Sequence, residues 1–390
     1  NMKRVVITGL GAITPIGKNV KQYWENLLKG ISGANKITRF EASKFKTQFA
    51  CEIKDYDALD YFDRKEARKL DRFSQYGLIS AEEAIETFEK EIIDYTNGNF
   101  NPRFNPFFIP KIISNGLSGI ISINNGLRGV NYCPVTACAS STQSIIQSFN
   151  YIRLGKADII IAGGSEAPIT ESSIGGFNAM KAMSTNNENF SSASKPFDTN
   201  RDGFVVGEGA GALVIESLDS ALKRNANIYA EIVGGGESSD AYHITGTHPE
   251  GLGAYLAMEN GIKEAKITPN EIEYINAHAT STGLGDLSEI KAIERLFKSS
   301  IEKVQISASK SMTGHLLGGT GAIEAISTCL SVKTDLIPPT INTTEIDKNI
   351  PKELNLSLGE TSSKKVNYAL SNSFGFGGHC SAMILKKYVG

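Results

Sequence analysis

Short runs of β-branched and aliphatic residues alternate along this chain with longer stretches whose apolar positions recur every three or four residues. Lys3–Gly9 (KRVVITG), Ala157–Gly163 (ADIIIAG), Gly211–Glu216 (GALVIE), Ile228–Gly234, Ile272–Ala277 and Val304–Ser309 are of the first kind. Runs of this length, bounded by glycine or polar residues, predict buried strands. Ser80–Lys90, Ala139–Leu154, Leu252–Ala265, Leu284–Phe297 and Leu317–Val332 are of the second kind and predict helices. In Ala139–Leu154 the residues Ile145, Ile146, Phe149 and Ile152 fall on one helical face. The alternation predicts α/β layers around a substantially parallel sheet. A rough twofold character is visible: Thr136–Ser141 and Ser309–Leu317 each lead from a strand into a helix through small residues. Residues 96–105 and 186–194 read as polar loops.

Composition narrows the class. At 390 residues the chain suits two or three domains of ~150 residues, or one large one. With 41% apolar and 21% charged residues it can build a large core, which argues against disorder. A net charge of -2 gives no reason to expect nucleic acid, although a local basic patch could serve an acidic partner. Cys51, Cys133, Cys138, Cys329 and Cys380 form no CxxC pair. Neither a zinc site nor a disulfide framework is indicated, and a reducing compartment is expected. No apolar run approaches the ~20 residues of a membrane span, and no charged-then-apolar leader is seen.

Four segments carry candidate chemistry. In Val135–Ser141 (VTACASS), Cys138 sits among small residues just before an amphipathic helix. A helix N-terminus there should favour the thiolate and lower its pKa. The plain alternative is a small buried hydrophobe, the usual state of a free cysteine. His278, in NAHATST, and His315, in KSMTGHL, each follow a predicted strand. Ligands collect outside the carboxyl ends of strands in α/β sheets, so two such histidines together with Cys138 point to a site. Zinc is a poor use for the three residues, which lie on separate loops without short ligand spacing. A Cys–His hydrolase is the better rival. Asn372–His379 (NSFGFGGH) offers glycines that let backbone N–H groups face a carbonyl oxygen, although a strand-edge turn with two core phenylalanines reads equally well.

Taken together, TACASS, NAHATSTGLGD, KSMTGHLLGGTGAIEA and SNSFGFGGH resemble, in order and spacing, the β-ketoacyl-acyl-carrier-protein synthases, the elongating type II branch above all. VVITGLGAITPIG, RKEARKLDRFSQY at Arg64–Tyr76, KPFDTNRDGFVVGEGAGALVIE at Lys195–Glu216 and SSDAYH at Ser238–His243 extend the likeness over nearly the whole chain. The resemblance implies an α/β, thiolase-like duplicated fold, layered α-β-α-β-α. Residues 1–220 would be the half carrying the nucleophile, and 221–390 the half carrying both histidines. It implies decarboxylative condensation of an acyl thioester with malonyl-acyl-carrier protein, in a homodimer of the bacterial cytoplasm or an organelle matrix. No cofactor is expected, because the pantetheine arm belongs to the substrate.

Residue by residue, the resemblance makes Cys138 the acyl carrier and gives His278 and His315 the enolate oxygen. Lys310 and Glu324 become an ion pair beside His315. Thr280 and Thr282 would bind pantetheine. Phe376 would gate the acyl pocket and lend its N–H to an oxyanion hole, with Phe374 beside it. Lys65, Arg68, Lys69 and Lys181 would dock the acidic carrier; the plain reading is a solvated charged face. No catalytic metal is implied, though a structural cation can sit near Asn276, Glu324, Ser371 and Asn372. Two histidines separate this branch from the initiating synthases, which pair His with Asn. Cys138 separates it from chain-length-factor partner subunits, which lack the nucleophile. Thiolases use a second cysteine and act on CoA esters. A ketosynthase of polyketide or specialised lipid synthesis shares every motif quoted.

The chain departs from the family pattern at Ala279, Gly283 and Cys380, where Gly, Pro and Asn are usual, and none of these removes a reacting group. Around Asp94–Gly98 (DYTNG) the family carries a further strand and a glycine-rich loop, about two dozen residues that this chain lacks; deleting a core strand would leave its neighbours with unpaired backbone groups.

Overall fold

A computed structural model describes residues 2–67, 72–78, 106 and 108–390. The predicted helix Ser80–Lys90, the loop 96–105 and the Asp94–Gly98 region lie outside the described residues.

Among the described residues, nine strands form the main sheet: β1 (Val5–Ile13), β2 (Ile159–Glu166), β3 (Gly209–Ser217), β4 (Ala230–Ser239), β5 (Tyr274–Asn276), β6 (Gln305–Ser307), β7 (Asn355–Leu356), β8 (Tyr368–Gly375) and β9 (His379–Lys386). Their order is β7-β6-β5-β8-β9-β4-β1-β3-β2. Four helices matter to the site: α1 (Ser140–Arg153), α2 (Leu252–Ala265), α3 (Gly283–Phe297) and α4 (Thr320–Thr334). α1 buries Ile145, Ile146, Phe149 and Ile152, the face that its spacing predicts. α4 is buried almost all round, from Thr320 to Val332. A helix without a polar face must be covered on every side. Accordingly α4 packs on β8 and on β3, α1 packs on β2, β3, β4 and β9, and the two helices pack on each other. They form the layer between the two arms of the sheet, while α2 covers the outer face of β4 and β9.

The sheet is mixed, which corrects the expectation of a substantially parallel one. β1/β3, β1/β4, β2/β3, β4/β9 and β8/β9 are antiparallel, and only β5/β8, β5/β6 and β6/β7 are parallel. At β8/β9 the cause lies in NSFGFGGH. It is not a free loop but the tip of the hairpin joining β8 to β9, closed by Gly377 and Gly378 at φ 89° and 80°. Left-handed backbone of this kind is open to glycine, and a short hairpin forces antiparallel pairing. Its first strand escapes a hydrophobicity pattern because Ser371, Asn372 and Ser373, all buried, form its middle.

The two arms repeat one plan. β1-β3-β2 and β4-β9-β8 are antiparallel triplets that meet at the β1/β4 pair. Beside each triplet a 3-10 turn leads into a central helix, Ala137–Ala139 into α1 and Leu317–Gly319 into α4. Each turn opens on a left-handed residue, Ala137 at φ 50° and Leu317 at φ 44°. The arms differ at their ends. β8 goes on to β5, β6 and β7, whereas β2 is the last strand of its arm among the described residues, with Ile159 and Ile161 49% and 41% exposed.

Candidate active site

Both central turns and the β8–β9 hairpin converge on one sulfur. Cys138 lies in the middle of the turn Ala137–Ala139 and is buried. Its Sγ is 3.1 Å from His315 Nε2. The far nitrogen of that ring, Nδ1, meets Thr320 Oγ1 at 3.0 Å, on the first residue of α4. The His315 backbone N–H donates to Val205 C=O at 2.7 Å, so the ring is fixed at both ends. His278 follows β5, and its ring stands edge-on to His315 with centroids 5.4 Å apart. Phe374 closes the other side of the His278 ring at 5.5 Å. The sulfur and the two imidazoles, far apart in the chain, therefore share one pocket.

The hairpin explains its own glycine. A Cβ on Gly375 would lie 2.4 Å from the Thr136 carbonyl oxygen and 3.0 Å from the Cys138 nitrogen, so only glycine lets the strand come this close. The backbone N–H groups of Cys138 and Phe376 both point at the sulfur. Two convergent N–H donors beside a nucleophile are what a tetrahedral oxyanion needs. Phe376 is 37% exposed at the rim of the site, and Phe374 is the one seated against the core.

Electrostatics here is governed by burial. Desolvation pushes the Cys138 thiol up to about 12, against the pull of Lys310 and the two N–H groups. This overturns the expectation that the helix N-terminus lowers its pKa, because a partial dipole charge does not offset the loss of water around a buried thiolate. His278 and His315 are both held well below the ordinary histidine range, first by burial and then by the Lys310 charge. Each is neutral at pH 7. Lys310 is buried and donates to Glu324 Oε1 at 2.6 Å. Burial raises the Glu324 carboxyl to about 7 even with Lys310 opposing it.

Thr280 and Thr282 are partly buried on the loop after His278, their hydroxyls 3.0 Å apart. Lys181 is exposed at φ 56°. Lys65 belongs to the short helix Arg64–Ala67, while Arg68 and Lys69 lie outside the described residues. The four residues of the expected cation position share one trait. Asn276 Oδ1, Glu324 Oε2, Ser371 Oγ and Asn372 Oδ1 are all buried without a hydrogen-bond partner. Asn276 and Ser371 are cross-strand neighbours, and Asn276 Nδ2 reaches the Glu324 carbonyl at 3.4 Å. An all-oxygen donor set of this kind suits a hard cation.

Sequence reasoning missed the acids that hold this architecture. Glu289 on α3 accepts the backbone N–H groups of His278 at 2.9 Å and Ala279 at 2.8 Å, and Asn372 Nδ2 at 2.9 Å. Asp286 accepts from Phe197 and Ser281 N–H at 2.9 and 3.1 Å. The buried Arg201 spans Asp286, Asp347 and the Thr282 carbonyl. The available signal was their spacing: Asp286 and Glu289 fall one helical turn apart, on the side of α3 that faces the end of β5.

Comparison with known proteins agrees with this geometry. The family model for the N-terminal domain of beta-ketoacyl synthase matches residues 2–92 and 87–221, and that for the C-terminal domain matches 229–344. A 3-oxoacyl-[acyl-carrier-protein] synthase 2 of Staphylococcus aureus is 45% identical over 411 aligned positions, covering 99% of each chain. The synthase 2 of a Synechocystis species is 42% identical over 412, covering 99% of this chain and 98% of its own. An alignment of 411 positions exceeds the 390 residues by 21, so at least that many positions of the relative have no counterpart here. The N-terminal match breaks into two pieces at 87–92, beside the Asp94–Gly98 deficit. Among solved structures, a beta-ketoacyl synthase from Burkholderia phymatum superposes with a TM-score of 0.90 at 30% identity, covering all of both chains. A ketosynthase complex described as a type II PKS acyl-carrier protein with its ketosynthase bound to the hexaketide gives 0.91 at 29%, again over all of both chains. With matches that run from residue 2 to residue 344 and relatives aligned along 99% of its length, the chain belongs to the β-ketoacyl synthase family.

Proposed function

We propose that this enzyme elongates fatty acids by decarboxylative Claisen condensation of a Cys138-bound acyl group with malonyl-acyl-carrier protein. The observation that carries the reading is the 3.1 Å contact between Cys138 Sγ and His315 Nε2, with the His278 ring beside it. Cys138 attacks the acyl thioester. The acyl group moves to its sulfur, and the thiol proton ends on the departing pantetheine sulfur. One thioester replaces another, so the step needs no external energy carrier and no cofactor. The high resting pKa of the thiol means that its proton must leave as the sulfur attacks, and His315 Nε2 is the group placed to receive and pass it on.

Malonyl-carrier then enters along the loop of Thr280 and Thr282, whose hydroxyls hydrogen-bond the pantetheine arm. Loss of carbon dioxide leaves an enolate, and neutral His278 and His315 each offer an N–H to its oxygen. This role needs the proton on Nε2, so His315 changes tautomer between the steps: the Thr320 hydroxyl accepts from Nδ1–H while Nε2 takes the thiol proton, and donates to Nδ1 when Nε2–H faces the enolate. The enolate carbon attacks the thioester carbon on Cys138. The tetrahedral oxygen takes the N–H groups of Cys138 and Phe376, and collapse expels the Cys138 sulfur as a thiolate, which takes up the one proton the overall reaction consumes from solvent and returns to the thiol. Lys310, paired with Glu324, adds to the burial that keeps both imidazoles neutral. A structural cation at Asn276, Glu324, Ser371 and Asn372 would satisfy their partnerless oxygens.

The acidic carrier would dock near Lys65, Arg68, Lys69 and Lys181, with Phe376 gating the acyl pocket. A second copy of the chain would cover the exposed Ile109, Ile123, Val130 and Val135. A bacterial cytoplasm is the compartment this reading expects. Full-length relatives named synthase 2 favour fatty-acid elongation over polyketide assembly, which the ketosynthase neighbour bound to a hexaketide represents. Incubation with acyl-carrier donors of several lengths, then malonyl-carrier, tests the reading by intact mass. It expects one acyl adduct at Cys138 and a 3-oxoacyl product two carbons longer. No adduct would instead indicate a non-catalytic, chain-length partner subunit.

A further inference from the structure

Glu166 closes β2, and the mechanism above gives it nothing to do. It is half-buried beside the turns that carry both reacting groups. Its Oε2 accepts the backbone N–H of Gly318 at 3.2 Å. Gly318 lies in the turn Leu317–Gly319, which carries the chain from His315 into α4. That turn begins at Leu317 with φ 44°, a conformation that a leucine keeps only when its surroundings hold it there. The imidazole closes the same segment from inside, through Nδ1 to Thr320 Oγ1 at 3.0 Å, and its Nε2 reaches Cys138 Sγ at 3.1 Å. A Cβ built on Gly318 would lie 3.1 Å from Glu166 Oε2 and 3.7 Å from the Ala137 carbonyl oxygen. Gly318 is thus wedged between the Glu166 carboxylate and the turn of the nucleophile.

The repeat between the two arms sharpens the point. Gly318 stands in its turn where Cys138 stands in the other: the middle residue, after a left-handed one and before a central helix. At Cys138 the backbone N–H points at the reacting sulfur. At Gly318 the equivalent N–H is occupied by a carboxylate from the opposite arm. One turn is left open for chemistry and its counterpart is tied down.

We infer that Glu166 is a positioning residue for the condensation: by holding the Gly318 N–H it fixes the His315–Thr320 turn and so keeps the His315 ring at contact distance from Cys138. The inference rests on the reading of Cys138 and His315 as the reacting pair. Desolvation raises the Glu166 carboxyl to about 7, and both its protonation states present an oxygen to Gly318. The role is therefore one of reach and hydrogen bonding, not of charge.

Three full-length variants separate these terms in steady-state condensation with acyl- and malonyl-carrier. Glu166→Ala removes the acceptor. Its kcat should fall about tenfold or more, because small misplacements of a reacting group are expensive in rate. KM for malonyl-carrier should stay within about twofold, since substrate binding is untouched. Glu166→Gln keeps an acceptor at the same reach and should restore kcat to within about threefold of wild type. Glu166→Asp keeps the charge but ends one methylene short, and should behave like the alanine variant. Wild-type kcat in Glu166→Ala or Glu166→Asp, or a glutamine variant no better than the alanine one, overturns the inference. If the alanine variant does not fold, the aspartate and glutamine variants decide it alone. A wild-type enzyme that acylates nowhere and condenses nothing would instead strike the reading of the site, and this inference with it.

Discussion

Replacing Glu289 by Gln probes how the first histidine is held. The carboxylate is buried on α3, with Oε1 taking the N–H of His278 and an amide N–H of Asn372, and Oε2 taking the N–H of Ala279. Burial raises its pKa, while these three donors favour the ionised form. Glutamine can keep its oxygen on the His278 side only, which turns its own NH2 group against the Ala279 N–H. One charge-assisted hydrogen bond is lost and one buried donor is orphaned, together about 2–3 kcal/mol. Spread over the ~2 cal/mol/K per residue of a 390-residue chain, that lowers the melting temperature by about 3 °C. If the loss is felt where His278 meets the enolate, the rate falls about 30- to 150-fold. Carbon dioxide release from malonyl-carrier in a Cys138→Gln background reads His278 without the nucleophile and is the assay of choice. Glu289→Gln with unchanged decarboxylation and an unchanged melting temperature would refute the argument that this acid sets the histidine's place.

Other consequences are equally open to measurement. His278 and His315 are held neutral far into the acid range, so neither ring should titrate between pH 8 and about 6.5, and any pH dependence of decarboxylation in that window in the Cys138→Gln background should follow the Glu324 carboxyl at about 7 and vanish in Glu324→Gln. Removing the nearby positive charge with Lys310→Met raises both histidine pKa values, and the acid loss of activity should begin at a higher pH; an unmoved profile would exclude Lys310 from that role. Gly375→Ala drives a methyl group into the Thr136 carbonyl and the Cys138 nitrogen, and acylation of Cys138 followed by intact mass should slow by about a hundredfold or more. Thr282→Val should raise KM for carrier-bound substrates by about fivefold, the worth of one hydrogen bond, with little change in kcat. Filling the partnerless oxygens of Asn276, Glu324, Ser371 and Asn372 should make the melting temperature rise with added cation in wild type, and less so in Ser371→Ala.

Helical elements were legible because their apolar spacing survives in the packed chain: Leu252–Ala265 was predicted to the residue, and α1 buries the face that its periodicity marks. β8 was not, since Ser371, Asn372 and Ser373 look like a loop until their backbone is seen paired with β9, Ser373 with Thr142, and the Asn372 amide N–H with Glu289. The antiparallel β8/β9 pair was missed with it. At the site, the small residues around Cys138, His278 and His315 singled out three side chains that the structure brings together. The pKa of Cys138 was read with the wrong sign: helix position is visible in a sequence, but the depth at which a sulfur is buried is not. Glu289, Asp286 and Glu166 were missed for a related reason. Each acts on backbone N–H groups, and a pair of acids one helical turn apart, such as Asp286 and Glu289, is too common on helices to mark a site by itself.

The account turns on a covalent acyl group carried by one side chain and on a separate enolate step carried by two others. Cys138→Gln divides them in one experiment, with product formation and carbon dioxide release followed together. The predicted result is no 3-oxoacyl product while malonyl-carrier still loses carbon dioxide. A variant that continued to lengthen acyl chains would contradict the central claim.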